Sequence, residues 1–156
     1  MLKRRRRGPS AGFVLMTLVT IAVVIFSCYL VFTAGARQAA KVVETFYTLE
    51  QEGKFSSSWE LFHSSMHKRF TRETYIQDRS HVFINHFGVD TFTFDLTSPR
   101  KISHWQKHEE AVAMDAYKVI ATKKYRGKYG YFEFVQHVYV AEEDGEWKVL
   151  WDFNEQ

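Results

Sequence analysis

The chain opens with an unbroken apolar block and then changes rhythm twice. From Ala11 to Ala36 (AGFVLMTLVTIAVVIFSCYLVFTAGA) no residue is charged, and about 20 apolar residues in a helix cross a bilayer core of roughly 30 Å. After Arg37, Val42, Val43, Phe46 and Leu49 recur at helical spacing, and Gly53 marks the end of that helix. Ser57-x-x-Glu60 has the form of a capping box ahead of a second short helix carrying Trp59, Leu61, Phe62 and Met66. Thr71 is placed to cap a third, with Glu73 in its first turn and Tyr75, Ile76 and Phe83 on its inner side. Asn85 to Val89 reads as a break. Beyond Asp90 the period becomes two: Phe92, Phe94 and Leu96 alternate with Thr93, Asp95 and Thr97, and Pro99 marks a bend or an edge. Ala111 to Thr122, Tyr131 to Ala141 and Trp147 to Phe153 are further strands, with Tyr125 to Gly130 as a loop. Helices followed by a meander predict an α+β layer architecture, with two or three helices on an antiparallel sheet behind an N-terminal transmembrane helix.

Charge placement gives this order an orientation. Lys3 and Arg4 to Arg7 supply five of the 21 Lys and Arg residues, and no acid precedes Glu44, so the rest of the chain carries a net −2 against the overall +3. The positive-inside rule then predicts a basic cytoplasmic tip (1–10), an anchor in the lipid bilayer (11–36) and an extracytoplasmic domain (37–156) of a single-pass cell-membrane protein. A cleaved signal peptide, with Ala34-Gly35-Ala36 as its site, is the competing reading. Its apolar centre is usually about 7–15 residues, shorter than this one. Ile25-Phe26-Ser27-Cys28 is a poor lipobox because Phe26 is bulky and apolar residues continue past the cysteine. Cys28 is the one cysteine, so neither an internal disulfide nor a cysteine zinc site is available. The folded part shows no basic field that would suit nucleic acid.

Helix, EGKFSSSWELF, a second helix, FTRETYIQDRS and a meander ending EEDGEWKVLWDF together resemble a nuclear transport factor 2-like domain over about Ala39 to Phe153. The resemblance implies a cone, in which a strongly curved antiparallel sheet wraps around an N-terminal helix and two shorter ones. A basic tip, one span and an outer domain of this kind also resemble bacterial envelope proteins, including assembly factors of conjugative secretion machines. The superfamily contains isomerases and dehydratases too, so the fold alone does not select a function.

Several residues could carry chemistry. Asp115 lies in the apolar stretch AVAMDAYKVIA and shares strand parity with Tyr117. A carboxylate on a pocket wall could be a general base of the kind the isomerase resemblance implies, with a histidine such as His137 assisting. The plainer account puts Asp115 on a wetter face near a lysine. His63-x-x-x-His67 places two imidazoles at a spacing zinc can use, but no third ligand is evident and the glutamate of a metalloprotease motif is absent. No nucleophile elbow or phosphate-binding glycine loop occurs, and no cofactor is expected.

The last hairpin is decided by its turn. With Asp144-Gly145 as a two-residue turn, Glu143 faces Glu146, Tyr139 faces Leu150 and His137 faces Asp152. Phe134, Val138, Val140, Trp147, Val149, Trp151 and Phe153 then form the core side, and Val135, Tyr139, Leu150 and Asp152 lie outside on a half-apolar face suited to a partner. A three-residue turn with a bulge would move the register by one and turn His137 inward. The expected function is a binding or assembly module of a bacterial envelope, working by protein–protein contact with another copy or a membrane-complex partner, and not an enzyme. The alternative is a nuclear transport factor 2-like isomerase, dehydratase or small-ligand binder using the cone pocket.

Overall fold

The computed structural model describes residues 11–79, 81, 89, 91–106 and 112–151. The chain divides into two compact units, Met1–Gly35 and Ala36–Gln156. Helix α1 (Ala11–Gln51) supplies the described part of the first and the opening of the second. It is long and apolar enough to cross a membrane, and its most apolar stretch is entirely unburied. Thr17 and Thr20 donate their hydroxyl hydrogen bonds to the carbonyls of Phe13 and Met16, four residues back. Their hydroxyl groups are thus satisfied within the helix itself.

In the second unit α1 buries the stripe Ala39, Val43, Phe46, Tyr47 and Glu50, the spacing of one helical face. Gly53 ends the helix at φ +71°, with its N–H on Glu50 O and that of Lys54 on Leu49 O. This is the nested pair of bonds that a left-handed glycine favours. Three short helices follow: α2 (Phe55–Trp59), α3 (Ser64–Arg69) and α4 (Arg72–Arg79). Thr71 does cap α4, its hydroxyl oxygen accepting from Thr74 N. The expected Ser57 capping box is not formed, because Ser57 already lies inside α2, whose N-cap is Lys54. The expected single helix is interrupted, since Leu61–His63 runs alongside the last strand before α3 begins. Asn85 to Gly88 and Phe83 lie outside the described residues.

The antiparallel sheet contains β1 (Phe92–Leu96), β2 (Arg100–Trp105), β3 (Met114–Gly127), β4 (Gly130–Glu143) and β5 (Glu146–Trp151). Its order is β1-β3-β4-β5. β1 and β2, on either side of Pro99, pair successively with the far and near halves of β3. The strand expected to stop at Thr122 continues to Gly127. The loop expected over Tyr125 to Gly130 shrinks to a two-residue turn at Lys128-Tyr129, with Gly127 opposite Gly130. In the last hairpin Glu143 faces Glu146 and Tyr139 faces Leu150. Asp144 and Gly145 sit at φ +53° and +81°, so the turn is the two-residue form with both central residues left-handed. Asp152 and Phe153 lie outside the described residues, and with them the pairing of His137.

The sheet carries two apolar clusters. The helix side holds Val119, Ala121, Val138, Val140 and Val149 against Phe46, Phe62 and Met66. The other side is not free at its near half. A bulge between Ile102 and Trp105, with His104 at φ +56°, brings Trp105 onto Tyr139, rings stacked at 4.3 Å. The small residues Ala116 and Ala141 and the fully buried Leu150 complete this second cluster. The edge of β5 is also engaged: Val149 N donates to Leu61 O and His63 N donates to Val149 O.

Candidate functional site

Two places in the domain depart from ordinary packing. One is a buried polar network where the end of α1 meets α2 and α4. Glu50, on the inner stripe of α1, is only 5% exposed. Its Oε1 accepts from the hydroxyls of Ser58 and Tyr75, each at 2.6 Å, and its Oε2 lies 3.0 Å from Arg79 Nε. The Arg79 guanidinium stacks over the rings of Tyr75 and Trp151. Burial is the largest single influence on Arg79 and disfavours its charge, but the Glu50 carboxylate, Tyr75 and Tyr125 together outweigh it and hold the guanidinium protonated. Burial also pushes the phenols of Tyr47, Tyr75 and Tyr125 well above their usual range. A buried charge is tolerable when it is paired and hydrogen-bonded, and Glu50 is both.

Beside this network stands Lys123 of β3, 2% exposed. Its Nζ donates to Gln136 Oε1 at 3.2 Å, and Tyr47 OH donates to the same oxygen at 3.0 Å. The rings of Phe134 and Tyr47 lie 4.7 and 5.6 Å from the ammonium. Burial, helped by Arg79 and opposed by Glu50, brings Lys123 down to about 7.

The second place is the end of the β3–β4 hairpin. Among the described residues beyond the first unit, five large apolar side chains are exposed, and four of them fall here: Tyr129, Tyr131, Phe134 and Val135. Phe134 belongs to the helix-facing side and Val135 to the other, so the apolar surface wraps around β4.

The residues singled out from the sequence are scattered. Asp115 is on the surface, its carboxylate 3.1 Å from Lys101 Nζ. The hydrogen bond from Lys101, with another from His104 N, holds it below the usual carboxylate range. This is the wetter placement, not a pocket wall. Tyr117 is half-buried edge-on to Trp147, and His137 is exposed on the sheet's outer side, so the three meet in no common pocket. Of the expected contact face, Val135 is 58% exposed, whereas Tyr139 and Leu150 lie beneath Trp105 at 5% and 0%. That half of the face is core.

His63 caps α3, its Nδ1 accepting from Ser65 N, and its Nε2 is 3.4 Å from Glu143 Oε1. The Glu143 carboxyl, raised by burial, is lowered further by its hydrogen bonds with Ser64, so it is held below the usual range. His67 is stacked on Trp59 with its Nε2 on Trp59 O. The two imidazoles thus serve different partners, and among the described residues no group of three His, Cys, Asp or Glu could hold a metal.

Sequence reasoning missed Glu50, Ser58, Arg79, Lys123 and Gln136. Two signals were available: Glu50 falls four residues after Phe46 on the apolar stripe, and Lys123 falls on the inward parity of β3. No protein-family model matches the chain, and a search of curated proteins finds no relative.

Proposed function

We propose that this protein is a single-pass, membrane-anchored binding or assembly module of a bacterial cell envelope. Its nuclear transport factor 2-like domain would stand outside the cytoplasm and dock on protein through the end of the β3–β4 hairpin. The anchor is the apolar part of α1, oriented by the five basic residues before it. The nuclear transport factor 2-like assignment is supported by the element order and by a long β3 that serves two strands in succession. The observation that carries the docking site is the concentration of exposed Tyr129, Tyr131, Phe134 and Val135 at one hairpin end, with Val112 the one other large apolar residue exposed among the described residues of the second unit.

The occupant these features fit first is a second copy. The strands bearing the patch present Lys124 and Arg126 beside Asp95 and Glu133, a mixed-charge surface that can meet itself across a two-fold axis. Anchoring in one bilayer raises the effective concentration of copies. The isomerase or dehydratase alternative loses support with Asp115, its proposed base, on the surface.

A photo-cross-linking residue placed at Tyr129 or Val135 in membranes should give a product of twice the chain mass. The same residue at exposed Glu73 on α4 should not. A product of another mass from the hairpin positions would replace the second copy by a different partner protein. Equal yields at all three positions, or none, would remove the docking site.

A further inference from the structure

The outer face of the sheet is covered over one half and bare over the other. Trp105 closes the half that carries Ala116, Tyr139 and Ala141. Towards the β3–β4 turn the same face continues as Thr122, Lys124 and Arg126 on β3 and Val135, Glu133 and Tyr131 on β4, because their parity is opposite to that of the inward-facing Val119 and Ala121. Arg126 and all three β4 residues are exposed. The register sets the six in cross-strand pairs: Thr122 opposite Val135, Lys124 opposite Glu133, and Arg126 opposite Tyr131. No pair joins like with like. One is a small hydroxyl and an aliphatic, one a cation and an anion, one a cation and a ring. A two-fold axis running along the strands, midway between β3 and β4, would lay each residue of one copy over the opposite member of its pair in the other. Lys124 then meets the second copy's Glu133, Arg126 its Tyr131 ring, and Thr122 its Val135. An axis across the strands at the same place would instead lay Lys124 on Lys124 and Glu133 on Glu133, which like charges oppose.

We propose that two copies pack these bare half-faces together about the axis along the strands, with Lys124–Glu133 and Arg126–Tyr131 as reciprocal contacts that select the partner. The proposal rests on a second copy being the occupant of the hairpin end, and adds which face it uses and which side chains recognise it. Two of the four groups are positioned before docking: Lys124 is paired with Asp95, and Glu133 accepts from the Tyr131 hydroxyl. Less side-chain freedom is then lost on association. The Arg126 guanidinium has no partner among the described residues. A hollow of about 290 Å3, bordered by Thr91, Thr93, Arg126 and Tyr131, gives an incoming ring room to lie over it. Val135, 58% exposed, brings apolar contact to the middle of the face. The charged pairs fix register and partner more than they add affinity.

The test is a charge swap in the full-length protein. A chain carrying Asp95→Lys, Lys124→Glu and Glu133→Lys together keeps both internal pairings opposite in sign while reversing every docking charge. Wild-type and swapped chains, each with two different tags, are co-expressed in all combinations, solubilised in a maltoside detergent and captured through one tag. Wild type should capture wild type, and swapped should capture swapped. Capture between the two kinds should fall by about tenfold or more, because each docking charge then meets its own sign. The single variants Lys124→Glu and Glu133→Lys give the converse: neither should capture itself, and the two should capture one another. Free mixing of wild-type and swapped chains, or self-capture by both single variants at the wild-type level, would overturn this pairing and leave the second copy standing as occupant. Absence of self-capture by wild type would remove the second copy as well.

Discussion

Replacing Lys123 by methionine should stabilise the domain near neutral pH and should do so less as the pH rises. The ammonium is held at about 7 in the fold against an ordinary value of 10.5. Between those values the unfolded chain binds a proton that the native state does not, so stability rises with pH across that window. The cost of the buried charge is absent above 10.5 and fully present below 7. At roughly 1.4 kcal/mol per unit, the whole span amounts to about 5 kcal/mol. Methionine has a similar unbranched shape and no charge, but it gives up the bond to Gln136 Oε1, worth about 1 kcal/mol. The variant should therefore gain about 3 kcal/mol near neutrality and nothing by about pH 10. The raised phenols of Tyr47, Tyr75 and Tyr125 lower stability only above the ordinary tyrosine value of 10.0, and they do so equally in both proteins. Urea unfolding of the full-length protein in detergent, followed by tryptophan emission, is the suitable assay. All four tryptophans (Trp59, Trp105, Trp147 and Trp151) lie in the second unit, so the signal reports that unit alone. Parallel pH profiles for the two proteins would refute the reasoning, because they would mean that the ammonium is solvated in the fold.

Two further outcomes follow from the packing. Glu50→Gln and Arg79→Leu should each cost about 3–5 kcal/mol, since each leaves one buried charge without its partner; a loss below about 1 kcal/mol in urea unfolding would mean the pair is wet. Trp105→Ala should cost about 3 kcal/mol by opening a cavity over Ala116 and Ala141, and a hydrophobic dye should light up on the newly uncovered Tyr139 and Leu150; unchanged dye binding would show that another group covers them.

The parts of this fold legible in the sequence are those where one periodicity decides the outcome. Val43, Phe46 and Gly53 mark the inner face and the end of α1, and Asp144-Gly145 fixes the last hairpin's register without help from elsewhere in the chain. The buried polar network was legible only in outline. Glu50 sits on the apolar stripe, but its acceptability depends on Ser58, Tyr75 and Arg79, which arrive from two other helices at no fixed spacing. Ser58 in particular sits in a serine run whose local explanation is capping, while the structure spends it on a carboxylate eight residues back. Asp115 shows the reverse case. Its parity with Tyr117 points inward, but it lies at the start of β3, where Lys101 reaches it from a neighbouring strand. The burial of Tyr139 and Leu150 was not legible at all, because it depends on a bulge at His104 that breaks the period of two.

The short stretch Leu61–His63 has a consequence for how this domain tolerates crowding. A sheet edge with unfilled hydrogen-bonding groups can recruit a strand from a neighbouring chain and start a polymer. Here the backbone of Val149, in the middle of β5, is already occupied on both its N–H and its carbonyl. On the opposite side the edge is divided between β1 and β2, with Pro99 between them and Arg100 and Lys101 opening the second. Among the described residues neither side offers a long neutral template, so copies crowded together would have no easy route to exchanging strands.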